Sequence, residues 1–145
     1  GQVILDIRGS ELEAALEQRP FLIKPNRDEL ASTVKRELQT EEDTIKAMRE
    51  LNDRGAEWVV ITNGPESALA THGSNCYELN PPKILPVNPI GCGDCFAAGL
   101  AWGFDQGQPP TEVLKLAVAA ATENAALLLP ARLDPESVRK IADTI

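Results

Sequence analysis

The sequence predicts a layered α/β fold built on a mainly parallel sheet, and three features carry that expectation. Short apolar runs alternate with capped, amphipathic segments through the first half of the chain. The run Trp58-Val59-Val60-Ile61 is apolar without a break, as a strand covered on both faces must be. The stretch from Thr111 to Leu129 is so rich in Ala and Leu that it reads as a largely buried helix.

The elements follow in order. Gln2 to Ile7 is strand-like, and Ser10 caps a helix through Gln18 with Leu12, Ala15 and Leu16 on one face, ended by Pro20. Phe21 to Ile23 is the next strand, broken by Pro25, after which Asn26 caps a helix whose first turn carries Asp28 and Glu29. Thr40 caps a further helix with Ile45, Met48 and Leu51 inward, and Gly55 closes it at the C′ position, where positive φ is usual. Glu57 to Thr62 is a strand, and 67–71 pairs with 76–79 as a hairpin around His72-Gly73-Ser74-Asn75. A connection through Pro81, Pro82, Pro86 and Pro89 leads to three helices over 94–104, 111–129 and 135–145. The tryptophans Trp58 and Trp102 stand at core-like positions.

At 145 residues and 43% hydrophobic content, the chain reads as a single globular domain over 1–145. A net charge of -8 excludes a sequence-independent nucleic-acid binder, which needs clustered Lys and Arg. No apolar run approaches the ~20 residues of a membrane span, so neither nucleic acid nor membrane is expected as a partner. Three cysteines, an odd set in a chain too large to need disulfide staples, point to a reducing, cytoplasmic setting.

Chemistry concentrates at Asn88-Pro89-Ile90-Gly91-Cys92-Gly93-Asp94. Gly91 and Gly93 precede an apolar helix, so backbone N–H groups and the positive end of the helix dipole can meet an anion there. Asp94 stands where a carboxylate could take a hydroxyl proton. Spacing alone equally allows a plain loop with an Asp cap. The turn is neither a Walker loop, lacking Gly-Lys-Ser/Thr, nor a dinucleotide fingerprint, since Gly91, Gly93 and Gly99 miss its spacing.

The stretch from Asn88 through Cys95-Phe96-Ala97-Ala98-Gly99 resembles the C-terminal signature of the PfkB, or ribokinase-like, carbohydrate kinases, and its Asn-Pro opening is nearest the tagatose-6-phosphate kinase and 1-phosphofructokinase branch. The resemblance implies the C-terminal portion of a three-layer α/β/α ribokinase-like fold. It implies Gly91, Cys92 and Gly93 as anion-hole donors and Asp94 as the catalytic base. Lys24-Pro25-Asn26-Arg27-Asp28-Glu29-Leu30 resembles the family's segment for magnesium and phosphate, which would give Mg2+ to Asn26 and Glu29 and phosphate to Lys24 and Asn26. The same pair, three residues apart at a helix start, equally makes a capping box, and both uses can hold at once. Thr62-Asn63-Gly64-Pro65-Glu66-Ser67 resembles the family's nucleotide-lining loop, with Ser67 where a second Gly is usual; Thr62, Asn63, Gly64 and Ser67 would line ATP. Asn124 matches a position that faces the adenine, although a buried Asn also serves as a hydrogen bond inside a core.

The implied activity is transfer of the ATP γ-phosphate to an alcohol of a sugar or sugar phosphate, of fructose 1-phosphate or tagatose 6-phosphate type. Nothing matches the family's N-terminal glycine pair or β lid. The chain is therefore expected to be a truncated or split C-terminal half, weakly active alone, that needs the N-terminal half or a second copy as partner. A non-catalytic nucleotide-binding or assembly module is the alternative. Cys92 and Cys95 also form a C-x-x-C, and His72 with Cys76 could complete a zinc set, but H-x3-C is not a standard partner. His72, the one histidine, is expected in the hairpin turn, so no His-based triad is assembled.

Overall fold

A computed structural model describes all residues, 1–145. The chain forms two compact units, Gly1–Glu78 and Leu79–Ile145.

The first unit carries the sheet. β1 (Ile4–Leu5), β2 (Leu22–Ile23), β3 (Trp58–Ile61), β4 (Ala68–His72) and β5 (Asn75–Leu79) lie side by side in that order. β1 pairs parallel with β2, and β2 with β3, while β3 pairs antiparallel with β4. The sheet is therefore mixed rather than mainly parallel. Helical crossovers join the early strands, whereas tight connections join the later ones and force antiparallel pairing. The helices between are α1 (Gly9–Leu16), α2 (Arg27–Val34) and α3 (Glu41–Asp53).

β1 and β2 are shorter than the apolar runs that hold them. Lys24 donates its N–H to Leu5 O at 2.9 Å, just past the two-residue ladder. One face of β2 and β3 supplies Ile23, Val59 and Ile61 to a cluster with Leu12, Leu16, Leu30, Met48 and Leu51. Burying such side chains is worth roughly 1.5–3 kcal/mol each, which is why the helices carry Leu or Met at i and i+4 or i and i+3.

Caps set the helix starts. Asn26 forms the capping box that its spacing to Glu29 allowed, and Thr40, expected as a cap, forms a box as well with Asp43 at the third helical position. Ser10 does not cap α1: Arg8 occupies that place and offers no side-chain cap, and the Ser10 hydroxyl donates to Glu11 instead. His72 ends β4 rather than sitting in the turn, and its ring stacks on Trp58 directly opposite, with centroids 4.2 Å apart. The turn itself is held by Arg49, whose guanidinium donates to Gly73 O, to Ser74 O at 2.9 Å and to Asn75 O at 3.1 Å.

The second unit is helical: α4 (Cys92–Asp105), α5 (Pro110–Ala126) and α6 (Pro135–Ala142). α5 stops before Leu129 because Leu127 turns extended. Its buried face comprises Val113, Leu114, Ala117, Val118, Ala120 and Thr122 among others, as the Ala-rich sequence implied. α4 approaches α5 through Gly99 and Gly103, one turn apart; a Cβ on Gly99 would lie 2.7 Å from Ala117 Cα. Trp102 falls off this stripe and is 46% exposed, which corrects its core assignment. No helix is long and apolar enough to cross a membrane.

Two outcomes test this packing. Gly99→Ala places a methyl against backbone that cannot move aside, so thermal or denaturant unfolding should show a loss of about 1–3 kcal/mol, against little change for Ala101→Ser on the exposed side. The Asp43 carboxyl is held below its ordinary range, chiefly by the Thr40 hydroxyl and then by the Thr40 N–H. Being depressed in the folded state, it adds stability above the unfolded carboxyl range that is lost as pH falls through the folded value. Carboxyl NMR titration should find the Asp43 midpoint low, and Thr40→Ala should move it upward.

Candidate functional site

In the first unit, Asn26 and Thr62 come together at the ends of β2 and β3. They form an isolated parallel bridge, and Arg27 N–H donates to Thr62 O at 3.3 Å. Asn26 Oδ1 accepts the Glu29 N–H at 2.9 Å, and Glu29 Oε2 accepts the Asn26 N–H at 3.0 Å. The other Glu29 oxygen lies 3.7 Å from the Arg8 guanidinium. The cap therefore uses only part of the acceptor capacity of the two side chains. Each carboxylate or amide oxygen offers two lone pairs, so lone pairs remain for metal-bound water. An oxygen-only donor pair suits a hard cation that keeps most of its waters, which is the character of Mg2+. No group of three or more His, Cys, Asp or Glu residues stands together as a direct metal cage.

Lys24 is engaged within the protein. Its side chain is buried and its Nζ lies 3.0 Å from Asp6 Oδ2, so it is neither solvated nor a free charge available to a phosphate. Asp6 was not singled out by the sequence, although an acid closing the apolar run Val3-Ile4-Leu5 was the available signal.

The 62–67 loop turns at Gly64, with φ 57° and its Cβ position open. Glu66 N–H donates to Asn63 O at 3.1 Å, and the Asn63 amide donates to the Glu66 carboxylate. Thr62, Asn63 and Ser67 are half-buried and Gly64 is exposed. The Asn63 side chain is thus committed to closing the turn.

In the second unit, the 88–94 turn meets the end of α5 and the segment after it. Gly91 is the N-cap of α4 in the left-handed region, φ 80°, with no side-chain cap. A Cβ there would both strain the backbone and lie 3.3 Å from Pro130 Cβ, so the position needs Gly. Cys92 N–H is already directed to Pro89 O at 3.3 Å, and Cys95 N–H to Gly91 O at 2.9 Å. The N–H groups of Gly91, Gly93 and Asp94 have no acceptor in the protein. The free donors are therefore these three, and Cys92 drops out of the expected set. Asp94 is the third helical residue, not the cap; its carboxylate is exposed and has no partner.

Asn124 is fully buried. Its Nδ2 donates to Ile90 O at 2.8 Å and meets Cys92 Sγ at 3.3 Å; its Oδ1 accepts the Ala131 N–H at 2.8 Å and meets Cys95 Sγ at 3.4 Å. Every polar capacity of its amide is thus engaged inside the fold, the core hydrogen-bonding role that a buried Asn can serve. Asn88 works alongside: its Oδ1 accepts the Ile90 N–H at 3.0 Å and its Nδ2 donates to Leu128 O at 3.0 Å. Burial raises the Cys95 thiol above its ordinary range.

The family model described as pfkB family carbohydrate kinase matches residues 2–126. Among solved structures, phosphofructokinase-2 from Escherichia coli in complex with substrates and products is 31% identical with a TM-score of 0.90, over 99% of this chain and 47% of that one. The same enzyme in complex with fructose-6-phosphate is 30% identical, TM-score 0.86, over 99% and 46%. Ribokinase from Arabidopsis thaliana complexed with ribose and ATP shares the fold at 24% identity and TM-score 0.84, over 97% and 47%. The chain thus spans about half the length of the solved structures it matches.

The buried ion pair yields a comparative test. Asp6→Asn leaves the buried Lys24 ammonium without its counter-charge, whereas Lys24→Met leaves only a carboxylate that water can reach. Asp6→Asn should therefore lower the melting temperature more than Lys24→Met, and the reverse order would show that the pair does not govern this corner.

Proposed function

Because the chain belongs to the pfkB family of carbohydrate kinases, we propose that it is the nucleotide-binding and catalytic half, over residues 1–145, of an ATP-dependent kinase that phosphorylates an alcohol of a sugar or sugar phosphate. The observation that carries this reading is the start of α4, where three unpaired N–H groups and an exposed, unpartnered carboxylate share one helical turn.

Asp94 accepts the proton of the acceptor hydroxyl as that oxygen forms its bond to the γ-phosphorus and the bond to the β-bridging oxygen breaks. The N–H groups of Gly91, Gly93 and Asp94 donate to the oxygens of the moving phosphoryl, where negative charge collects, and the dipole of the 14-residue helix acts in the same sense. Asn26 and Glu29 would hold Mg2+ through its water shell, and the ion supplies charge neutralisation on the phosphates. Thr62, Gly64 and Ser67 border the nucleotide, through backbone at Gly64 and hydroxyls at the other two. The acceptor is a ketohexose phosphate in this reading. Fructose 1-phosphate and tagatose 6-phosphate suit the Asn-Pro opening, and fructose 6-phosphate is the ligand of the similar Escherichia coli enzyme. The N-terminal half or a second copy of the chain presents that sugar, in the cytoplasm.

Asp94→Asn in the complete protein should lower kcat by about 10²–10⁴-fold, with Mg-ATP affinity by calorimetry unchanged. A variant that kept its turnover on all three ketohexose phosphates would remove Asp94 from the chemistry.

A further inference from the structure

Both backbone polar groups of Ile90, which belong to two successive peptide groups of the 88–94 turn, are held by side chains. Ile90 N–H is taken by Asn88 Oδ1 and Ile90 C=O by Asn124 Nδ2, at 2.8 Å. Ile90 itself is 68% exposed, so no packing of its own side chain fixes this backbone. The carbonyl of Ile90 belongs to the same planar, trans unit as the N–H of Gly91, and in such a unit the two point in opposite directions. Drawing Ile90 C=O inward to the buried amide therefore turns Gly91 N–H outward, and that N–H has no acceptor in the protein.

The 89–92 turn, closed by Cys92 N–H on Pro89 O at 3.3 Å with Gly91 at φ 80°, accommodates this orientation but does not by itself lock it. A peptide followed by Gly can rotate about its flanking bonds at little steric cost, since Gly tolerates both signs of φ. The alternative orientation would present a carbonyl oxygen to the outside, next to the Asp94 carboxylate, and would repel an anion. What excludes it is Asn124, which is anchored from the other side by Ala131 N–H on its Oδ1 and touches both Cys92 and Cys95 sulfurs. Four contacts and complete burial leave the amide no freedom to turn.

We propose that Asn124 is a positioning residue that locks the Ile90–Gly91 peptide with Gly91 N–H facing outward, so that it joins the N–H groups of Gly93 and Asp94 as a donor to the transferring phosphoryl group. The inference rests on the kinase reading for its consequence, though not for its geometry. Asn124 touches no substrate; it acts by keeping one donor aimed.

Asn124→Asp keeps the shape and the acceptor toward Ala131 while replacing the Ile90 donor with an oxygen. The Ile90 carbonyl is then repelled and the Gly91 N–H attracted, so the peptide turns over. In the complete protein, the Gly91 amide should exchange its hydrogen more slowly, its NMR shift on adding ATP should vanish, and kcat should fall by about 10²-fold with KM for the sugar little changed. Asn124→Leu, which brings no buried charge, should give the same kcat loss and the same missing Gly91 response, and covers the case in which the Asp variant fails to fold. A folded Asn124→Leu protein with wild-type kcat and a wild-type Gly91 response to ATP would overturn the proposal. A wild-type protein that turned over no sugar, combined with slowed Gly91 exchange in Asn124→Asp, would sink the kinase reading while leaving the peptide lock in place.

Discussion

The second unit depends on one buried hydrogen bond, from the Asn124 amide to the Ile90 carbonyl. A carboxamide at complete burial is costly unless both its donor and its acceptor are used, and this one joins the 88–92 turn, the end of α5 and the segment that leads to α6. Backbone bonds follow the same line: Ala125 O accepts both the Val87 N–H, at 2.7 Å, and the Asn88 N–H, at 3.1 Å. The start of α4 is thus laced to α5 from two sides, and Gly91 can hold its left-handed conformation there.

The close helix pair below gives that lacing something rigid to pull against. Gly99 and Gly103 let α4 approach α5 to backbone distance, and Cys95, Ala119, Ala120 and Val138 fill the space toward α6. A turn built for an anion must leave N–H groups unpaired, which is unfavourable in the empty state. Dense packing one turn away from an exposed, polar helix start offsets that cost, the usual division between a scaffold and a site.

The first unit solves a similar problem with charge. Strand ends β1 and β2 bring Asp6 and Lys24 together, and the buried ammonium is tolerated because its carboxylate partner keeps one side in water. Asn26 begins α2 beside Thr62, so helix capping and the polar edge of the sheet are made by the same few residues. A side chain that caps a helix is held in one rotamer, and a held oxygen is a better water or metal partner than a mobile one.

The sequence by itself determined the α/β class, the family and the caps at Asn26 and Thr40, though not the cap of α1, because these rest on local rules: apolar periodicity at Trp58–Ile61, Asn or Thr three residues before Glu or Asp, and two glycines ahead of an apolar helix. The existence of α2, α3 and the β4–β5 hairpin was legible for the same reason. What only tertiary structure decided is where each polar side chain spends its hydrogen bonds. Lys24 turned to Asp6 across a strand pair, and Asn124 turned inward to a carbonyl 34 residues away. Such outcomes depend on partners distant in the chain, and hydrogen bonds, unlike hydrophobic burial, are directional, so no pattern of residue types along the sequence can fix them.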